Sequence, residues 1–151
     1  MAIDIENQPI RRRAVIFDDE DLFRKVLWMF FDQRGYEVLT FPYPDVCPLH
    51  VASECPCPLG TLCSDIIISD VNMLGKSGID FIEKLMEKGC KQRHFALMSG
   101  AFTDADRARA ALLACAVFEK PINMEALTAW VESVERSISA ERVLFDWTDL
   151  V

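Results

Sequence analysis

The chain has 151 residues, 51% of them apolar and 26% charged, which suits one folded domain with a well-filled core. Its 24 acidic against 16 basic residues leave a formal charge of −8, and a field of that sign repels the phosphates of nucleic acids. No stretch approaches the roughly 18 apolar residues of a membrane helix, and Met1 to Pro9 lack a signal-peptide core. The expectation is therefore a cytoplasmic protein that uses neither a membrane nor nucleic acid as a partner.

Residues 1–11 read as an N-terminal extension ending in the basic run Arg11-Arg12-Arg13, expected to be a solvated lead-in to the first strand. Arg13 to Phe17 is a short apolar run that stops at Asp18-Asp19, the pattern of a strand buried on both faces. From Asp21 the period becomes helical, with Leu22/Phe23, Val26/Leu27 and Phe30/Phe31, and Gly35 closes the segment. Glu37 to Phe41 is a second strand. Residues 42–65 keep no helical period and carry five of the seven prolines and four of the six cysteines. Ile66-Ile67-Ile68-Ser69 makes a third strand running into Asp70. Ile79, Ile82, Leu85 and Met86 mark a helix ending near Gly89. His94 to Met98 predicts strand four, Asp104 to Ala114 a helix, Ala116 to Phe118 strand five, and Leu127, Val131, Val134 and Ile138 the last helix.

Strands alternating with helices predict an α/β fold, a doubly wound parallel sheet of right-handed βαβ units. Such sheets bind ligands outside the carboxyl ends of their strands. There the sequence sets Asp18 and Asp19, Asp70, Ser99 and Lys120. Three converging carboxylates repel one another unless a cation lies among them, and a hard, oxygen-rich site suits Mg²⁺. Phosphoryl transfer needs an acceptor, correct positioning and positive charge against the phosphoryl oxygens. Asp70, the metal and Lys120 would supply these, with a hydrogen bond from Ser99. Singly, each residue has a plainer reading: Asp-Asp as a turn or cap, the others as ordinary strand-end residues.

From about Arg12 to Ser139 the chain resembles the receiver domain of two-component response regulators. The resemblance rests on Val15-Ile16-Phe17-Asp18-Asp19-Glu20, on Ile67-Ile68-Ser69-Asp70-Val71-Asn72-Met73 with Gly78, on Leu97-Met98-Ser99-Gly100 and on Phe118-Glu119-Lys120-Pro121. It implies a five-stranded sheet of flavodoxin-like order 2-1-3-4-5 over residues 12–139. Asp70 would accept a phosphoryl group from a histidine kinase or phosphotransfer protein. Mg²⁺ would be held by Asp19, Asp70 and the Asn72 carbonyl, with Asp18 acting through water. Ser99 and Lys120 would hold phosphoryl oxygens, and the Lys120-Pro121 bond would be cis. Signalling to a downstream protein would follow as Ser99 reshapes the face of the last two helices and the strand between them. The resemblance makes the protein a phosphoacceptor that assists its own phosphotransfer and autodephosphorylation rather than an enzyme acting on other substrates. A hydrolase using Asp70 ranks below this, since no second acid/base group is visible.

The chain departs from that pattern in three places. Val117 stands where the family has an aromatic switch residue, which puts the usual coupling in doubt. Leu74 replaces the common proline after Met73, so the loop beside Asp70 is expected to be less rigid. Residues 42–65 replace the family's second helix with a Cys/Pro-rich insert. Its Cys47, Cys55, Cys57 and Cys63 could hold a zinc ion, with buried thiols or a redox role as the other readings. These departures leave room for a phosphorylation-independent binding module working through the insert. The tail, 140–151, would either fold back onto the domain or pair two chains as a homodimer.

Overall fold

A computed structural model describes residues 11–44 and 61–145. The apolar runs form β1 (Arg12–Phe17), β2 (Tyr36–Phe41) and, after a short β3 (Thr61–Leu62), β4 (Ile66–Asp70). Helix α1 (Asp21–Gln33) joins β1 to β2, and Gly35 takes up the left-handed φ of +83° that ends it. A hairpin, β5 (Asn72–Met73) with β6 (Lys76–Ser77), precedes α2 (Gly78–Glu87). Then come β7 (Phe95–Ser99), α3 (Asp104–Leu112), β8 (Ala116–Glu119), α4 (Met124–Ser137) and β9 (Val143–Leu144).

Five strands make one sheet in the order β2-β1-β4-β7-β8, with every pairing parallel. This is the expected order 2-1-3-4-5. Helices cover both faces, which is why the strands read as continuous apolar runs. Val15, Phe17, Ile67 and Leu97 pack with Ile79, Ile82 and Leu85 of α2 on one side. Ala14, Ile16, Ile68 and Met98 pack with Leu27 and Phe31 of α1 and Leu127 and Val131 of α4 on the other. Among the described residues, no helix is long and apolar enough to cross a membrane.

The arginine run is a solvated lead-in only at Arg11, whose side chain is 72% exposed; Arg13 overturns that expectation. Arg13 is only 3% exposed. Its guanidinium donates to the carbonyl oxygens of Cys63 (3.1 Å) and Phe145 and to the Glu37 carboxylate (3.1 Å). Arg12 pairs with Glu135 at 3.4 Å and Arg11 with Glu37 at 2.7 Å. These partners come from distant parts of the chain, so local charge density could not reveal them. The same cluster holds the C-terminal segment. β9 pairs in parallel with β3, and Phe145 is buried in the core on the α2 side. Residues 143–145 thus fold back onto their own domain; residues 146–151 lie outside the described set.

Arg142 fastens this segment. Its Nε and Nη2 donate to the two oxygens of the buried Asp65, and Nη2 also donates to the Arg11 carbonyl at 2.6 Å. Breaking a buried ion pair from one side strands the other charge and typically costs about 3–5 kcal/mol. Arg142→Ala is expected to lower stability by about 3 kcal/mol, read as a lower urea midpoint. An unchanged midpoint would show that Asp65 is adequately satisfied by the Arg13 amide, its other donor at 3.0 Å.

Candidate functional site

Parallel strands bring their carboxyl ends to one edge of the sheet, and the register fixes which residues meet there. Phe17 lies beside Ser69, Asp70 beside Met98 and Ser99 beside Glu119. Asp18-Asp19, Asp70, Ser99 and Lys120 therefore project from adjacent strand ends. One carboxylate oxygen from each of Asp18, Asp19 and Asp70 lies within 4.8 Å of the others.

Lys120 sits among the acids. Its ammonium donates to Asp18 Oδ2 (3.0 Å), Glu20 Oε1 (3.1 Å) and Asp70 Oδ2 (3.3 Å). The centroid of the Phe23 ring lies 4.4 Å from it, a cation–π contact. The Lys120 amide donates to the Ser99 carbonyl at 2.8 Å, which ties the two strand ends together. The Lys120-Pro121 bond is cis. The Ser99 hydroxyl oxygen accepts from the Ala101 amide at 3.1 Å. A pocket of about 590 Å³ opens over Asp19, Asp70, Asn72, Ser99 and Lys120, while Asp18 is fully buried.

The electrostatics favour a cation. Burial pushes the carboxyls of both Asp18 and Asp70 above their ordinary range, and the Lys120 charge and hydrogen bonds recover only part of that shift. Burial pulls the Lys120 ammonium down, but Asp18, Glu20 and Asp70 outweigh it, and the net shift is upward. One ammonium thus bonds three carboxylates, with Asp19 gathered beside two of them, and the oxygen-only donor set fits a hard divalent ion.

Two neighbouring details have specific causes. Gly78 opens α2 directly against the end of β4. A Cβ there would lie 2.0 Å from the Asp70 carbonyl oxygen and 2.6 Å from Ser69 Oγ, so only glycine fits. Leu74-Gly75 is the two-residue turn of the β5–β6 hairpin, with φ of +45° and +78°. The Leu74 amide donates to Asp19 Oδ2 at 3.0 Å.

A scan of protein-family models and a search of curated proteins return no match. Solved structures do match. The Vibrio cholerae chemotaxis protein CheY4 is 21% identical, with a TM-score of 0.64 over 82% of this chain and 98% of its own. A response regulator receiver protein from Pseudomonas putida is 17% identical, with a TM-score of 0.68 over 83% and 99%. One from Pseudoalteromonas atlantica is 16% identical, with a TM-score of 0.69 over 83% and 98%. The chain has the receiver fold.

Within this receiver fold, Val117 is half-buried on the α2 side of the sheet, paired in register with Leu97. Beside it Arg107 bonds Glu119 and covers the Phe102 ring at 5.2 Å. Of the cysteines read as zinc ligands, Cys47, Cys55 and Cys57 lie outside the described residues. Cys63 is buried with its sulfur 3.7 Å from Ser64 Oγ. Among the described residues, the group of side chains gathered as a metal site is Asp18, Asp19 and Asp70. Sequence reasoning missed Glu20 and Phe23 as partners of Lys120. Glu20 was visible as a third acid after Asp18-Asp19, whereas the Phe23 contact has no sequence signal.

Proposed function

We propose that this chain is a two-component receiver that accepts a phosphoryl group on Asp70, with Mg²⁺ bound by the adjoining acids. The observation that carries the reading is the hydrogen-bonded set of Asp18, Asp70 and Lys120 beside Asp19 at one edge of a receiver-fold sheet. Asp19, Asp70 and the Asn72 carbonyl would hold the ion, and Asp18 would act through water. When bound, Mg²⁺ offsets negative charge on the phosphoryl oxygens.

The donor would be a phosphohistidine on a kinase or phosphotransfer protein. An Asp70 carboxylate oxygen forms the new O–P bond as the N–P bond breaks, and the imidazole keeps the electron pair of that bond. Lys120 and Ser99 steady the transferring oxygens. Leu22, Val26 and Met29 form an exposed stripe at helical spacing on α1, which starts two residues after Asp19. A helical donor could lie along that stripe with its histidine over Asp70. Phosphorylation would then favour one of two conformations of the Ser99 edge, the signal passing to a downstream protein.

Incubation with acetyl phosphate and Mg²⁺, followed by intact-mass measurement, tests the reading. One phosphoryl adduct is expected on the parent protein and none on Asp70→Asn or on parent protein with the metal chelated. Absence of an adduct on the parent would instead favour a binding module that works without phosphorylation.

A further inference from the structure

Leu74 carries a backbone cost that its side chain does not repay. A non-glycine residue in the left-handed region is disfavoured by roughly 1–2 kcal/mol, and Leu74 sits there with φ +45°. The residue is 73% exposed, so packing does not explain the conformation. What the conformation does achieve is the aim of one amide: the Leu74 N–H meets Asp19 Oδ2 at 3.0 Å, across 55 residues of sequence. A proline at this position has no N–H and a φ locked near −65°, so it can supply neither the turn nor the bond.

We propose that the Leu74 backbone amide is a positioning donor for Asp19, orienting that carboxylate for a divalent cation. The inference rests on the receiver reading and adds a residue to its metal site. Asp19 Oδ2 accepts the amide, and the carboxylate keeps its remaining lone pairs for the ion. The hydrogen bond also fixes the carboxylate plane before any metal arrives, so less side-chain freedom is lost on binding. The hairpin register, Asn72 with Ser77 and Met73 with Lys76, holds the turn in place and links Asp19 to the residues immediately after Asp70. The donor belongs to the main chain, so the residue type matters only through its backbone. Any residue that tolerates positive φ and keeps its N–H should serve, and asparagine should serve best.

The test is Mg²⁺ titration by calorimetry on the parent protein, Leu74→Asn and Leu74→Pro, with circular dichroism melts on each. Leu74→Asn should bind Mg²⁺ within about twofold of the parent, whereas Leu74→Pro should bind about tenfold more weakly while remaining folded. Should the proline variant unfold, the Leu74 amide resonance in ¹⁵N-labelled parent protein decides: it is expected downfield and should move upfield in Asp19→Ala. Equal Mg²⁺ affinity in folded Leu74→Pro and parent overturns the proposal, as does an amide resonance unmoved by Asp19→Ala. If the parent itself fails to bind Mg²⁺, the receiver reading of the metal site falls. The amide resonance still reports whether Leu74 holds Asp19.

Discussion

Replacing Lys120 with methionine should destabilise the metal-free protein by about 3–5 kcal/mol, and either Mg²⁺ or mild acid should return part of the loss. The magnitude follows from removing one side of a buried charge pair. Asp18 is fully buried, the Asp70 side chain is 8% exposed, and both depend on the Lys120 ammonium. Methionine keeps most of the aliphatic bulk against Phe23, so the change is mainly electrostatic.

The pH dependence has a definite sign. The Asp18 and Asp70 carboxyls are raised above the ordinary value of 3.8 by burial, so the folded state takes up their protons more readily than the unfolded chain. Stability contributed by these groups therefore rises as pH falls through their folded values, and levels off below 3.8. Without Lys120 the downward pull on both carboxyls is gone and the gain on acidification should be larger than in the parent. A divalent ion bound only by the folded state adds stability by mass action. Urea midpoints measured from neutral to mildly acid pH, with and without Mg²⁺, check this. A variant whose midpoint stays level or drops on acidification would mean that the acids are not held by Lys120.

The sheet was legible because it is written twice in the sequence, once as apolar runs of strand length and once as helical segments between them. Ile66-Ile67-Ile68 has no plausible place except a central strand, and a central strand pointing at Asp70 defines the site edge. Asp18, Asp70, Ser99 and Lys120 were legible for the same reason, since each directly follows or ends a strand. Arg13, Arg142 and Asp65 were not. A buried ion pair needs partners far apart in sequence, and β3 and β9 are two residues each, too short to show a period. The part that Leu74 plays was hidden for a different reason. A side chain that departs from a familiar pattern suggests loss, whereas the consequence here lies in the backbone: an N–H and a positive φ that proline denies.

Gly78→Ala should be the most damaging small change near the site, at about 3 kcal/mol or more, even though alanine is the better helix former by roughly 1 kcal/mol. The sign is decided by what the new methyl would meet. The Asp70 carbonyl oxygen, 2.0 Å away, and its carbon, 3.0 Å away, are main-chain atoms and cannot rotate aside. Either α2 must lift off the sheet or the end of β4 must shift, and both movements displace Asp70. The Gly78 amide donates to Val71 at 2.8 Å, so lifting the helix also breaks a main-chain bond. Misplacing a reacting group by about 1 Å can cost around a hundredfold in rate. Phosphorylation by acetyl phosphate should therefore slow at least tenfold in whatever fraction remains folded. Gly75→Ala is the control: that glycine has a positive φ of +78° but open space around it, so only backbone strain of roughly 1–2 kcal/mol is added. Comparable losses in the two variants would mean that the contact at Gly78 relaxes cheaply, since Gly78 has no positive φ to add strain. A much larger loss at Gly78 places the penalty in the contact that seats α2 on the carbonyl of Asp70.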